Sequence, residues 1–206
     1  MSSLPAFVPT ADPCAYETLV LGLGNVLWAD EGFGVRSIET LNSRYQFAGD
    51  VCVMDGGTQG IYLLPFVRSA KRLLIFDAVD FGLEPGTLKV ISGDDVPRFM
   101  GVRKMSMHQA GFQEVLSTAA LSGDLPDEIV LIGVQPELLD DYGGSLRPVV
   151  RAQIDSAVER AIEALSGWGV TARPREAPLI AADLVGPGEL DIHDYESGRP
   201  QLTGDY

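Results

Sequence analysis

Thr18-Leu19-Val20-Leu21-Gly22-Leu23 is an apolar run without a charge, ended by Gly24-Asn25. A segment this short and this apolar reads as a strand buried on both faces, followed by a tight turn. Three similar runs follow. Val51-Cys52-Val53-Met54 is closed by Asp55-Gly56-Gly57, Leu73-Leu74-Ile75-Phe76 ends in Asp77, and Ile129-Val130-Leu131-Ile132-Gly133-Val134 comes last. Helical spacing lies between and after them. Val35, Ile38, Leu41 and Tyr45 form one stripe, Phe112, Val115, Leu116 and Ala119 a second. Val150, Ile154, Val158, Ile162 and Leu165 form a third, with Pro148 tolerated in its first turn. Ile61 to Ser69 also reads as helix, with Pro65 marking a kink or an early turn. Leu88 to Ile91 is predicted as a strand beside the third one, in antiparallel sense.

Wholly apolar strands alternating with helices need both faces of their sheet covered, so the predicted class is α/β: three layers, α/β/α, around a mostly parallel twisted sheet. Regular patterning stops at Trp168, after which Pro174, Pro178, Pro187 and Pro200 lie among glycines and acids. The expected organisation is an N-terminal arm over 1–16, one α/β domain over 17–167, and a flexible acidic tail over 168–206.

Fifteen Lys and Arg against twenty-nine Asp and Glu give a net charge of −14. That balance disfavours a nucleic-acid partner and insertion into or binding to an anionic membrane. No apolar run has the roughly 20 residues a membrane span requires. The first seventeen residues lack a cationic start and an apolar core, so no secretory signal is read there. Cys14 and Cys52 make neither a CxxC nor a disulfide framework, and a cytoplasmic location is expected.

Ligands of open α/β sheets bind beyond the carboxyl ends of the strands. Glu31, Asp55 and Asp77 follow three such ends, and His108 opens a later helix within Ser106-Met107-His108-Gln109, a capping-box pattern. Each has a plain structural explanation. Asp30 and Glu31 suit a helix start, and Asp55 before two glycines suits a turn. Asp77 is harder to dismiss, because a carboxylate ending an apolar strand is costly without a partner. Together, one imidazole and two carboxylates make a donor set for Zn, Ni or Fe with coordination left open. His193, the other histidine, is assigned to solvent. Gly22-Leu23-Gly24 misses the dinucleotide fingerprint, since Leu27 stands where its third glycine belongs. Neither a phosphate-binding P-loop nor a Gly-x-Ser-x-Gly elbow is present.

Four ordered motifs carry a family resemblance. Gly22-Leu23-Gly24-Asn25 through Asp30-Glu31-Gly32-Phe33-Gly34-Val35 resembles the opening signature of the [NiFe]-hydrogenase maturation endopeptidases. Asp55-Gly56-Gly57-Thr58, Asp77-Ala78-Val79-Asp80 and Met105-Ser106-Met107-His108-Gln109 resemble the motifs that follow. The stretches Gly60-Ile61-Tyr62-Leu63 and Phe81-Gly82-Leu83-Glu84-Pro85-Gly86 are most similar to the uptake-hydrogenase branch. The resemblance implies an endopeptidase that removes the C-terminal extension of the hydrogenase large-subunit precursor after nickel insertion. It implies Glu31, Asp77 and His108 as metal contacts and Asp55 as a further functional residue in a Gly-rich loop. Nickel is then expected to arrive on the precursor rather than to reside in the enzyme. The same ligands would also serve an assembly factor that checks for nickel without cutting.

Overall fold

The computed structural model describes residues 16–100, 107–177, 179, 183–186, 190 and 192–197. Residues 1–15, with Cys14, and residues 101–106, with Ser106, therefore lie outside the described residues, as do the side chains of His108 and His193.

Strands β1 (Thr18–Leu23), β3 (Val51–Gly57), β4 (Arg72–Ala78) and β6 (Glu128–Val134) run parallel, and β5 (Leu88–Ser92) completes the sheet in the order β3-β1-β4-β6-β5. The chain leaves β1 toward one edge and returns to β4 on the other side of β1. The strand order thus reverses between β1 and β4, where an open sheet of this kind leaves its crevice. β5 lies antiparallel to β6 rather than beside β4, because both edges of β4 are already occupied.

Alternation along the strands explains the three layers. Leu19, Leu21, Leu73, Ile75 and Leu131 face one way, onto α2 (Leu64–Ser69) and α4 (Met107–Ser122) through Val67, Phe112, Val115 and Leu116. Val20, Leu74, Phe76 and Ile132 face the other way, onto α1 (Phe33–Arg44) and α6 (Ile154–Gly167) through Phe33, Ile38, Leu41, Val158 and Leu165. Each of these side chains is at most 3% exposed, so each contributes roughly 1.5–3 kcal/mol of burial. Among the described residues no helix is long and apolar enough to cross a membrane.

Four local expectations are revised. Tyr45 leaves the α1 stripe and opens β2 (Tyr45–Ala48). α3 (Asp95–Met100) is an added short helix. The last stripe is divided into α5 (Pro148–Arg151) and α6 by a turn at Ala152–Gln153. Regular structure also continues past Trp168, where β7 (Thr171–Pro174) pairs antiparallel with β2 from Ala48↔Thr171 to Tyr45↔Pro174.

Beyond β7 the described residues keep returning to the body. Arg175 Nε donates to the Asn42 carbonyl, and Asn42 Nδ2 donates to the Asp183 carbonyl at 2.8 Å. Arg36, only 4% exposed, donates to the Leu190 carbonyl, pairs with Glu39 at 2.9 Å and lies 5.7 Å from the Tyr195 ring. Glu196, in α7 (Ile192–Ser197), accepts from Ser145 and pairs with Arg151. These residues form a strap across α1, held by polar and backbone contacts rather than by an apolar stripe. That is why hydropathy gives no sign of it.

Candidate active site

Glycine sets the geometry at the end of β1. A Cβ on Gly34, in the first turn of α1, would lie 2.2 Å from the Leu23 carbonyl oxygen and 2.3 Å from that of Phe76. Helix α1 is thereby seated backbone to backbone on the ends of β1 and β4. A Cβ on Gly24 (φ +129°) would fall 1.8 Å from the Glu31 carbonyl oxygen, so the turn after β1 folds directly onto Glu31. Glu31 sits in a 3-10 turn, Ala29–Gly32, immediately before α1, and Asp77 follows Phe76 in β4. Two close backbone contacts therefore bring the Glu31 turn and Asp77 to the same pair of strand ends.

Asp77 is fully buried. Alternation along β4 puts its side chain on the face of Leu73 and Ile75, which α4 covers. His108 lies in the first turn of α4, and its side chain falls outside the described residues. The early part of that helix approaches the turn Gly60–Leu63: a Cβ on Gly111 would lie 3.3 Å from the Gly60 Cα. Since Gly60 follows closely on the end of β3, the start of α4 stands at the carboxyl rim of the sheet.

Asp55 occupies a different corner. β1 and β3 slip register between Gly22↔Asp55 and Leu23↔Gly57, leaving Gly56 as an extra residue. Asp55 Oδ1 accepts from the Gly57 N–H at 2.8 Å, the short-range turn bond its sequence suggests. The alternation Cys52 and Met54 to one face, Val51 and Val53 to the other, turns Asp55 toward α1, away from the face of Asp77. There a Cβ on Gly186 of the strap would lie 3.2 Å from Asp55 Oδ2 and 4.0 Å from Glu39 Oε1. Burial pushes the Asp55 carboxyl up to about 6, against the Gly57 N–H and the Arg36 guanidinium, which both pull it down.

Asp30 is the residue that sequence reasoning misplaces. It is fully buried, and its carboxylate caps no group in its own helix. Oδ2 accepts from the backbone N–H groups of Glu137 and Leu138, both at 2.9 Å, and Oδ1 from that of Arg147 at 2.7 Å. Gln135 plays a related part nearby: its Oε1 accepts from the Phe81 and Leu83 N–H groups and its Nε2 donates to Asp80. Every residue but proline supplies a backbone N–H, so no side-chain pattern announces such partners.

Among the described residues no group of three His, Cys, Asp or Glu side chains gathers closely enough to hold a metal ion. The carboxylates of the rim instead belong to separate elements, with the Gly56–Gly57 backbone between the two faces.

The family model of the hydrogenase maturation proteases matches residues 35–164. The hydrogenase expression/formation protein HoxM of Cupriavidus necator is 57% identical over 182 residues, covering 88% of this chain and 90% of that protein. The hydrogenase 2 maturation protease of Escherichia coli is 42% identical over 160 residues, 77% of this chain and 96% of its own. Among solved structures, the hydrogenase maturating endopeptidase HybD from Escherichia coli superposes with a TM-score of 0.73 at 39% identity, over 77% of this chain and 98% of that one.

Proposed function

This chain belongs to the hydrogenase maturation protease family, and from that premise we propose that it is the endopeptidase for a [NiFe]-hydrogenase large-subunit precursor, removing its C-terminal extension once nickel is in place. The observation that carries the reading is the seating of α1 on the ends of β1 and β4, which brings the Glu31 turn to the strand ends that also carry Asp77. Glu31, Asp77 and His108 are assigned to meet the nickel that the precursor brings. Two carboxylates and an imidazole suit that ion, which we take to arrive on the precursor rather than to reside in the enzyme.

Recognition of nickel would order the scissile segment along the rim. The chemistry is hydrolysis: water adds its oxygen to the scissile carbonyl carbon, the C–N bond breaks, and the departing amine takes up a proton. The carboxylates of the rim carry that proton in transit. Asp55 acts from its covered corner, holding the Gly56–Gly57 backbone in the shape that borders the peptide.

The test is the mass of purified precursor, loaded with nickel or free of it, after incubation with the protein. Loss of a C-terminal peptide from the loaded form alone is expected. Unchanged mass in both, with a stable complex formed, would instead identify a factor that checks nickel without cutting.

A further inference from the structure

We infer that Asp30 is a positioning residue for the reaction: its carboxylate pins the loop after β6 to the turn that carries Glu31, and so fixes where Glu31 meets the scissile segment. The inference rests on the role proposed for Glu31. A buried carboxylate is costly unless its lone pairs are used, and here three backbone N–H bonds take the place of a cation. All three donors stand in the loop between β6 and α5, none in the turn of Asp30 itself. The Asp30 N–H completes the joint by donating to the Leu138 carbonyl.

Other contacts run along the same seam. Gly143 N–H donates to the Leu27 carbonyl at 2.7 Å, Trp28 and Tyr142 form a bridge, and their rings meet edge to face at 5.2 Å. Residues 27–30 and 138–147 are therefore one double loop, with the Asp30 carboxylate at its centre and Glu31 as the next residue of the chain.

The backbone adds an independent sign. Ala29 has φ +37°, the one positive value outside glycine among the described residues, and its side chain is buried. A left-handed alanine costs roughly 1–2 kcal/mol and persists only where its surroundings enforce it. The enforced residue lies between the aromatic contact and Asp30, two positions before Glu31. A pin that served stability alone would have no need to hold a strained turn at this point.

The test compares Asp30→Asn, Arg147→Pro, Arg147→Ala and Glu31→Gln in the full chain, with steady-state processing of nickel-loaded precursor and thermal midpoints measured together. Asp30→Asn sets an amide N–H against at least one of the three donors, whichever way the amide turns. Arg147→Pro deletes one donor at a residue whose φ of −61° already suits proline, and so keeps the question open to measurement should Asp30→Asn fail to fold. Arg147→Ala keeps that N–H and removes only the guanidinium paired with Asp141. Misplacement of Glu31 is expected to lower kcat about 100-fold in Asp30→Asn and about tenfold in Arg147→Pro, with KM within about twofold and Arg147→Ala near wild type. Wild-type kcat in both Asp30→Asn and Arg147→Pro, whatever their midpoints, overturns the inference and leaves Glu31 its role. Wild-type kcat in Glu31→Gln overturns that role and the inference with it.

Discussion

Asp30, in the turn after β1, is fully buried and Asp55, near the carboxyl end of the neighbouring β3, is half-buried, and their surroundings differ in kind. Asp30 accepts three backbone hydrogen bonds from a loop more than a hundred residues away in the chain. Asp55 accepts one backbone bond, from its near neighbour Gly57, and has a glycine of the strap against its other oxygen. The first environment was built for a charge. The second covers a carboxyl without fully replacing the water it lost, and its proton is held more tightly in consequence. Burial alone thus does not define what a rim carboxylate does; the count of donors facing it does.

The largest expected effect lies outside both corners. If Asp30 and Asp55 are the supports and Glu31 and His108 the working groups, Glu31→Gln and His108→Ala should each lose processing by about 100-fold or more while the thermal midpoint stays close to wild type. Full cleavage by either variant, measured by precursor mass, would break that division of labour.

The same change, Asp to Asn, should then act in opposite directions at the two corners. Asp30→Asn is expected to destabilise by about 2–4 kcal/mol in urea unfolding, since it loses a charge-assisted acceptor and leaves buried donors unpaired. Asp55→Asn is expected to stabilise at pH 7 by about 2 kcal/mol, because it removes the cost of ionising a covered carboxyl. In the parent protein the folded Asp55 titrates at about 6 against 3.8 for a free carboxyl, so the folded state holds the extra proton between those values. Its contribution is therefore present at acid pH, falls as pH rises through that window, and is level above it. Asp55→Asn should flatten this segment of the stability profile; a slope unchanged between pH 4 and 6 would assign it to another group.

A smaller effect sharpens the account of the Asp30 corner. Ala29→Gly relieves the left-handed strain and gives some of the gain back in unfolded-chain entropy, so stability should rise by only about 0.5 kcal/mol. A loss on this substitution would mean that Ala29 packs more than it strains.

The frame of the molecule is legible in its sequence because it is built from side chains. Leu19 to Leu23, Leu73 to Phe76 and Ile129 to Val134 are apolar for the physical reason that both faces are covered, and Phe112, Val115, Leu116 and Ala119 are all buried as their spacing predicts. Asp77 stands out by the same logic, as a charge at the end of such a run. What escapes the sequence is made of backbone. Residues 171–174 carry no alternating apolar pattern and become a strand only through their ladder with β2. The partners of Asp30 are N–H groups, so its place in a first helical turn suggests a local cap when its bonds are distant. The partner of β5 depends on which edge of the sheet is free, a property of the assembled topology.

The ladder between β2 and β7 also bears on how the protein is made. It joins residues 45–48 to 171–174, so the outer end of α1 stays unfastened during synthesis until the ribosome has released nearly the whole of the α/β body. A nascent chain interrupted before β7 leaves β2 with an open edge, a template for pairing with another copy. Emergence of β7 from the ribosome is the event that lets this edge close.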